Sequence, residues 1–351
     1  MSTVTIAVDL AKNVFELAVT NRAGTICERK RLSRLQFEQF WGARARCRVV
    51  MEACSSSHFW ARYLIARGFH VTLLPPHHVT PYRRGRNKTD RADCEAILEA
   101  DRCAGIHPVA IKTPDQQALC ALHRVRAQWL QTRTARINAM RALLREFGIV
   151  TAGGAKRFMN GLHALLTDKQ DRLPMRVSTV IQSLWSEVPD LEQHVAAVDE
   201  ELGSIARAEP VTQTLLRIPG IGPLTATALF ASVGNIHSFQ NGRQLACWLG
   251  LTPREHSSGS RRRLGRISKQ GDAYVRMLLI HGARSALTAA RRASAREAPP
   301  SQLQDWMLRR AEAAHTNKAA VAIANKLARI AWAVWHHERT FNGNYVVRKA
   351  A

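Results

Sequence analysis

The order of predicted strands and helices over the first 105 or so residues constrains the fold more than any other feature of the sequence. Three β-rich runs come first, at residues 4–10, 14–20 and 25–32, and residues 21–24 supply turn chemistry between the second and the third. Strands joined by such short connections predict an antiparallel meander.

Helices and short apolar strands alternate in the rest of this region. The predicted elements are a helix at residues 34–42, a strand at 48–53, a helix at 59–67, a strand at 71–74 and a helix that runs to about residue 102. A meander followed by this alternation is the order of a ribonuclease-H-like, or RuvC-like, domain. We therefore predict an α/β domain of that kind over residues 1–105.

Four acidic side chains fall where such a fold brings them together. Asp9 lies in the first strand, Glu52 ends the strand after the first helix, and Asp90 and Asp93 lie one turn apart in a helix with Thr89 as its N-cap. In a ribonuclease-H-like sheet those two strands are neighbours beneath that helix. Carboxylates are the hard ligands that Mg²⁺ prefers, and one or two such ions polarise a phosphodiester, so the pattern predicts a Mg²⁺ site.

Each acid also has a purely structural interpretation. Acids in a first helical turn, such as Asp90 and Asp93, are stabilised by the helix dipole by about 0.3–1 kcal/mol, and Glu52 could simply end a strand. Asp9 is different, because an acid in an otherwise apolar strand destabilises the fold unless it is paired or ligated. Taken together and in this order, the four acids favour a metal site.

The chain is strongly basic, which indicates a polyanionic partner. Lys and Arg number 51 against 27 Asp and Glu, for a net charge of +24, and most of the cations are arginine. The planar guanidinium matches phosphate oxygens two at a time, so this excess favours nucleic acid. Non-catalytic RNA binders share the bias, so charge alone does not imply catalysis. The first candidate phosphate contacts lie on one loop: Arg83, Arg84, Arg86 and Lys88.

Two stretches with apolar residues at three- and four-residue steps follow, at residues 114–147 and 190–208. They predict a helical coiled-coil region over residues 106–210, either as an antiparallel pair or as a dimer arm. Seven scattered cysteines without a C-x-x-C pair indicate reduced thiols in a cytoplasmic protein. The most apolar stretch, residues 319–335, contains three polar or charged side chains and predicts a buried amphipathic helix, so we expect no membrane span.

Residues 211–351 form the third predicted unit, which is mostly helical and bears two motifs. The first is a helix-hairpin-helix-like turn, in which Gly220 and Gly222 let backbone N–H groups approach a phosphate. An ordinary corner between two helices is an equally good interpretation of it.

The second motif is a serine-rich and arginine-rich segment at residues 250–271. A serine flanked by glycine and by cations is suited to attack phosphorus, because guanidinium groups stabilise both the alkoxide and the oxyanion. The alternative is a phosphate-binding loop in which serine and glycine only provide flexibility. The candidate cations are Arg254, Arg261, Arg262, Arg263, Arg266 and Lys269.

These motifs, in this order along nearly the whole chain, resemble insertion-sequence family 110. The matching segments are IAVDLAK at 6–12, MEA at 51–53, NKTDRAD at 87–93, IPGIG at 218–222 and GLTP at 250–253, followed by Ser258 and Gly259. GRISKQGD at 265–272, with Arg276, is most similar to the subgroup 1111 branch. Members of this family are DEDD transposases related to the Piv and MooV invertases.

The resemblance implies a role for each site residue. It makes Asp9, Glu52, Asp90 and Asp93 the DEDD tetrad, and Ser258 the nucleophile that forms a 5′-phosphoserine link, with Ser257 and Ser260 beside it as alternatives. It also implies that the tetrad and Mg²⁺ of a partner subunit complete a composite site. A non-coding bridge RNA, encoded beside the gene, would pair with target and donor DNA while the protein grips backbones.

Three hypotheses follow from the sequence. The first is an RNA-guided transposase that acts on double-stranded donor and target DNA as a homo-oligomer, a dimer or a tetramer. The second is a two-metal RuvC-like DNA nuclease whose serine only binds phosphate. The third is a non-catalytic RNA-binding scaffold.

Overall fold

In the computed structural model, which describes residues 4–83, 89–151, 153–168 and 172–345, the chain divides into two units. They are Met1–Thr113 and Pro114–Ala351. The first is a mixed α/β unit and the second is mainly helical. The finer division near residues 105 and 210 remains a prediction.

A five-stranded mixed sheet forms the first unit, with the strand order β3-β2-β1-β4-β5. The strands are β1 (Thr5–Leu10), β2 (Val14–Thr20), β3 (Ile26–Ser33), β4 (Arg48–Glu52) and β5 (His70–Leu74). β1, β2 and β3 pair antiparallel, whereas β4 pairs parallel with both β1 and β5. This is the predicted meander followed by alternation, and it is consistent with a ribonuclease-H-like domain.

Four helices connect or cover these strands. They are α1 (Arg34–Phe40), α2 (Ser57–Ile65), α3 (Pro76–Val79), which continues into a 3₁₀ turn at Thr80–Tyr82, and α4 (Asp90–Asp101). Thr89 caps α4 as predicted, because its side chain accepts a hydrogen bond from the backbone N–H of Ala92. The start of α4 therefore lies where the sequence indicates.

The two faces of the sheet bury different kinds of side chain. One face carries an aromatic cluster in which Phe15 stacks on Phe37 and both meet the edge of Trp60. The other face presents small side chains, Ala7 and Ala18, which are cross-strand partners and lie under α4. Their small size lets α4 approach the sheet closely, so side chains near its first turn reach the strand ends.

The second unit contains nine helices among the described residues and one hairpin. The helices are α5 (Pro114–Glu146), α6 (Ala155–Asp168), α7 (Met175–Ala208), α8 (Pro210–Leu216), α9 (Pro223–Val233), α10 (Gly242–Trp248), α11 (Ala273–Ser294), α12 (Gln302–Glu312) and α13 (Thr316–His336). The hairpin consists of β6 (Pro253–Glu255) and β7 (Leu264–Ile267). None of the described helices combines the length and the apolar character that a bilayer crossing requires.

Helices α5 and α7 pack side by side in antiparallel directions. Three ion pairs fix their register: Arg126 with Asp199, Arg133 with Glu192 and Arg136 with Glu187. Arginines further along α5 pair with acids that lie closer to the N-terminus of α7, so the two helices run antiparallel. Half of the arginines that the sequence places along α5 are thus ion-paired to α7. Coiled-coil packing of this pair remains a prediction.

Helix α7 is longer than the sequence indicates. It begins at Met175, not near residue 190, and Pro189 lies inside it. The added turns bury Ile181 and Val188 in a cluster that includes Ile137 of α5 and Phe158 of α6, and this packing outweighs the helix-breaking tendency of the proline. Helix α13, by contrast, buries its apolar face within the helical core, as predicted for residues 319–335.

Candidate active site

Strand register brings acidic residues to one face of the sheet. Val8 pairs with Met51 across the parallel strands β1 and β4, so the next residues, Asp9 and Glu52, follow on neighbouring strands. Side chains alternate along a strand, and Ala7 and Val50, two residues earlier, both pack under α4. Asp9 and Glu52 therefore belong to the face that α4 covers, as predicted.

A further acid, which the sequence analysis does not single out, lies on the same face. Glu16 on β2 is the cross-strand partner of Asp9. Ala18, two residues further along β2, packs under α4 together with Val50 of β4. Because residues two apart on a strand point to the same side, Glu16 also belongs to the face that α4 covers. The sequence does carry a signal for Glu16, because it interrupts an apolar β-strand in the same way as Asp9.

The first turns of α4 contribute the remaining acids. Asp93 is buried, with 4% of its surface exposed, whereas Asp90 is exposed. The guanidinium of Arg83 joins Asp93 to Glu52: its Nε lies 2.6 Å from Asp93 Oδ1 and its Nη2 donates to Glu52 Oε2 at 3.2 Å. The carboxylates of Glu52 and Asp93 thus both contact the guanidinium of Arg83.

The surroundings of Cys94, on α4, include Asp9 and Glu16. Burial is the main reason that the pKa of the Cys94 thiol is raised, and the charges of Asp9 and Glu16 raise it further. The thiol also donates to the backbone oxygen of Glu16, with an S–O distance of 3.2 Å. Asp9 and Glu16 on the strands therefore lie near the buried part of α4 that carries Asp93 and Cys94.

The carboxylate oxygens of this face are donors of the kind that a hard divalent cation prefers. Asp93 Oδ1 is buried and accepts no hydrogen bond from any described residue, because the nearby Nε–H of Arg83 is not aimed at it. A carboxylate oxygen with unused lone pairs is a good ligand for Mg²⁺. Across the described ranges, however, no three His, Cys, Asp or Glu side chains lie close enough together to hold one ion. The metal assignment of the four acids remains a prediction.

The candidate nucleophile lies at the tip of the β6–β7 hairpin. Ser258 and Arg261 exchange two backbone hydrogen bonds, at N–O distances of 3.3 and 3.1 Å. Gly259, inside this turn, has φ of +55°, which explains why glycine follows the serine. The whole tip is exposed, so a DNA backbone has access to it.

The three serines of the tip differ in their contacts. Ser257 Oγ donates to Glu255 Oε1 at 2.7 Å and accepts from the backbone N–H of Arg263 at 3.0 Å. The hydrogen bond from Ser257, followed by the charge of Arg262, lowers the pKa of Glu255. The hydroxyl of Ser258 has no hydrogen-bond partner among the described residues. Ser257 therefore braces the hairpin, whereas the Ser258 hydroxyl is available.

Two glycines and a buried arginine fix the base of the hairpin. A Cβ at Gly271 would lie 1.9 Å from the backbone oxygen of Trp248, and one at Gly250 would lie 2.3 Å from that of Gln270. Arg276, largely buried, donates from Nη1 to the backbone oxygens of Leu249 and Gln270 at 3.0 and 2.8 Å. Close packing therefore requires glycine at positions 250 and 271, whereas a Cβ at Gly265 would lie at an ordinary 3.6 Å from the backbone oxygen of Arg254.

The candidate phosphate contacts fall into three groups. The six hairpin cations, Arg254, Arg261, Arg262, Arg263, Arg266 and Lys269, are all exposed. Arg83 is half-buried against the carboxylates, which differs from the exposed phosphate contact that the sequence suggests. Arg84, Arg86 and Lys88 lie outside the described residues.

The two glycines of the turn between α8 and α9 have different surroundings. Gly220 has φ of +85°, and a Cβ there would lie 2.4 Å from the backbone oxygen of Gly282 on α11. Gly222 is the N-cap of α9, and a Cβ there would meet no atom of a described residue within 4 Å. Close helix packing thus accounts for Gly220, while the space at Gly222 is open. The helix-hairpin-helix assignment remains a prediction.

Two protein-family models match the chain. A model of DEDD transposases, described as "Transposase", matches residues 6–149, and the model "Transposase IS116/IS110/IS902 family" matches residues 212–298. The four acids lie in the first segment and Ser258 lies in the second.

Several curated proteins are similar over almost their whole length. The "Probable family 20 transposase" of Pseudomonas aeruginosa is 40% identical over 96% of this chain and 98% of its own. The "Transposase for insertion sequence element IS1111A" of Coxiella burnetii is 38% identical over 96% and 90%, respectively. The "Transposase for insertion sequence element IS1328" of Yersinia enterocolitica is 36% identical over 94% and 96%.

Proposed function

Because the chain belongs to the IS116/IS110/IS902 family of transposases, we propose that it moves an insertion sequence by a reaction in which Ser258 attacks DNA. The observation that carries this proposal is the difference between neighbouring serines. Ser257 is hydrogen-bonded on both sides, whereas Ser258 presents its hydroxyl at an exposed tip surrounded by arginines.

The proposed step is a phosphoryl transfer. Ser258 Oγ forms a bond to phosphorus while the bond from phosphorus to the 3′-oxygen breaks, which leaves a 5′-phosphoserine and a free 3′-hydroxyl. The proton of the serine hydroxyl passes, in sum, to the 3′-oxygen. Arg261 and Arg263 follow Ser258 by three and five residues, just before β7, and they stabilise the charge on the phosphoryl oxygens.

The carboxylate face supplies the second part of the proposal. Asp9, Glu52, Asp90 and Asp93 would hold Mg²⁺, which polarises a phosphodiester and stabilises a leaving oxyanion when bound. The buried Oδ1 of Asp93, with its unused lone pairs, supports this assignment. Asp9 and Glu52 contribute from the strand ends because the β1–β4 register sets them side by side.

Nucleic acid is the proposed partner of the remaining charge. The exposed hairpin cations grip double-stranded donor and target DNA through backbone phosphates, and the open turn at Gly222 offers the N-terminus of α9 to another phosphate. We also propose a bridge RNA, which selects the sites by base pairing, and a homo-oligomer, a dimer or tetramer, with α5 and α7 as a coiled-coil arm.

A plasmid excision assay tests the activity. Asp9→Ala and Ser258→Ala should each abolish excision, because each removes a group that acts on the phosphodiester. Glu99→Ala is the matched control, since Glu99 is an acid near the far end of α4 whose partner is Arg102, and it should excise normally. Normal excision by Asp9→Ala would contradict the proposal and favour a non-catalytic RNA-binding scaffold.

Sequencing the RNA that co-purifies with the full chain tests the RNA partner. A discrete species that maps to DNA beside the gene is the expected result. Bulk ribosomal RNA would instead indicate nonspecific attraction to the +24 charge.

A further inference from the structure

The contact of Arg83 with two site carboxylates has consequences for how that site accepts a metal. Its guanidinium lies against Glu52 at the end of β4 and against Asp93 in α4. We propose that Arg83 is a built-in counter-cation, which holds Glu52 and Asp93 together before metal binding. Mg²⁺ then displaces the Arg83 guanidinium from these carboxylates. This inference rests on the proposed metal-binding role of those carboxylates.

Burial makes a counter-cation necessary at this position. The Asp93 side chain is only 6% exposed, and an ionised carboxylate removed from water is costly unless a cation compensates it. Asp9 and Glu16 lie on the same face and add negative charge nearby. Repulsion among these acids would oppose their convergence, and the positive charge of Arg83 offsets it.

The geometry of the pair makes it replaceable. Arg83 Nε lies 2.6 Å from Asp93 Oδ1, yet neither atom has a hydrogen-bond partner among the described residues, since the N–H direction misses the oxygen. The attraction is therefore Coulombic and forgoes the directional bonding that strengthens an arginine–carboxylate pair. A divalent cation offers twice the charge and uses those lone pairs directly, so it competes well for the same oxygens.

Arg83 is also placed where it can leave. It follows the 3₁₀ turn Thr80–Tyr82, and its own backbone N–H is anchored to the oxygen of Thr80 at 3.2 Å. The backbone at this point is held, while the long side chain can change rotamer and release its guanidinium. The side chain of Arg83 is 27% exposed, so it borders solvent, into which the charged end can turn.

A matched control exists at the opposite end of the same two elements. Arg48, the first residue of β4, forms a two-pronged pair with Asp101, the last residue of α4, at 2.6 and 3.1 Å. Arg48→Gln therefore removes one positive charge and the ion pair that joins β4 to α4 at that end. Arg83→Gln also removes one positive charge, together with the link that Arg83 makes between Glu52 of β4 and Asp93 of α4. The Arg48 pair lies at the end of α4 away from Asp93.

Titration calorimetry of the full, nucleic-acid-free chain with Mg²⁺ alone tests the inference. Arg83→Gln should lower the Kd for Mg²⁺ roughly five- to tenfold, because the competing charge is gone. Arg48→Gln should leave the Kd unchanged, and Arg83→Lys, which keeps the charge, should resemble wild type more than Arg83→Gln does. Asp93→Asn should abolish binding in either background.

Thermal unfolding provides a readout that does not depend on activity. In chelator the midpoint of Arg83→Gln should fall below that of wild type, and added Mg²⁺ should raise it by more than it raises the wild-type midpoint. A purely structural arginine would lower the midpoint without changing that Mg²⁺-dependent increase.

The outcomes separate the inference from the function on which it rests. Binding that is tighter in Arg83→Gln, or detectable only there, supports the inference. Equal Kd values in wild type and Arg83→Gln, with binding lost in Asp93→Asn, overturn the inference and leave the metal site standing. Absence of Mg²⁺ binding in both proteins overturns the proposed metal site and the inference together.

Discussion

At the scale of single residues, a buried histidine sets how the second unit responds to acid. The ring nitrogens of His123 lie 3.1 Å from the Tyr274 hydroxyl and 3.0 Å from Thr227 Oγ1. Burial, followed by the charge of Arg126, lowers the pKa of His123 to about 4. The imidazole is therefore neutral in the folded protein under conditions where it is protonated in the unfolded chain.

This difference predicts a loss of stability in mild acid. Because the folded-state pKa lies below the unfolded value of about 6.5, the stability is complete above about pH 6.5 and falls as the pH drops toward about 4. His123→Asn should reduce that fall by on the order of 3 kcal/mol. Urea unfolding of the full chain at about pH 7 and about pH 4.5 measures this loss of unfolding free energy in wild type and in the variant.

The control for this prediction is His281→Asn, since His281 is an exposed histidine of the same unit. Its pH dependence should match that of the wild type. If His123→Asn loses as much stability between the two pH values as wild type, a neutral buried imidazole is not the cause.

Residues that depend on strand period were predictable, and those that depend on long-range contacts were not. Alternation and strand order are enough to set Asp9 beside Glu52. The charge of Arg83 suggests a phosphate contact, and nothing local indicates that its guanidinium turns to Asp93. Similarly, the hydrogen bond of Ser257 to Glu255 depends on the hairpin geometry, which cannot be predicted from a run of basic residues.

At the scale of elements, the two glycines of the turn between α8 and α9 allow helix packing and phosphate contact to be tested separately. Gly220→Ala should destabilise the protein by roughly 2–4 kcal/mol, because a side chain there meets both the left-handed backbone and the oxygen of Gly282. Gly222→Ala should cost less than about 1 kcal/mol, since the space is open. Denaturant unfolding compares the two variants.

The same pair tests the turn as a phosphate site. Gly222→Ala, which is expected to fold normally, should weaken binding to duplex DNA if the N-terminus of α9 contacts a phosphate. Unchanged binding would identify the turn as an ordinary corner between helices. A Gly220→Ala protein as stable as wild type would contradict the packing argument itself.

The elements of the first unit follow the sequence more closely than those of the second. Strands β1 to β5 have strong β-rich or apolar patterns bounded by turns, and the caps at Ser33 and Thr89 mark helix starts. Helix α6 and the first half of α7 bury side chains in a cluster that they share with α5, and no local pattern reveals these long-range contacts. The β6–β7 hairpin is polar and exposed, so it lacks the alternation by which a strand is predicted.

At the scale of the whole molecule, the large positive charge is divided between structural and exposed roles. Arg126, Arg133 and Arg136 are ion-paired to α7, whereas the hairpin cations are exposed. Only exposed cations can neutralise phosphates and release counterions, so the two groups should affect DNA binding differently.

The salt dependence of duplex DNA binding measures this division. Replacing Arg261, Arg263 and Arg266 with Gln should reduce the slope of log K against log salt by about 2–3, if each contacts one phosphate. The control replaces Arg126, Arg133 and Arg136 with Gln, which changes the net charge equally and should leave the slope nearly unchanged. Equal reductions in both proteins would mean that the overall charge, and not the hairpin, determines binding.

The central claim is that Ser258 forms a covalent bond to DNA. The most direct measurement is to incubate the full chain and its co-purified RNA with a nicked DNA substrate and Mg²⁺, and to resolve protein–DNA adducts on a denaturing gel. We predict an adduct with wild type and with Ser257→Ala, weaker in the latter because its hairpin brace is lost, and none with Ser258→Ala. DNA cleavage by Ser258→Ala at the wild-type rate would contradict the account and favour a two-metal nuclease.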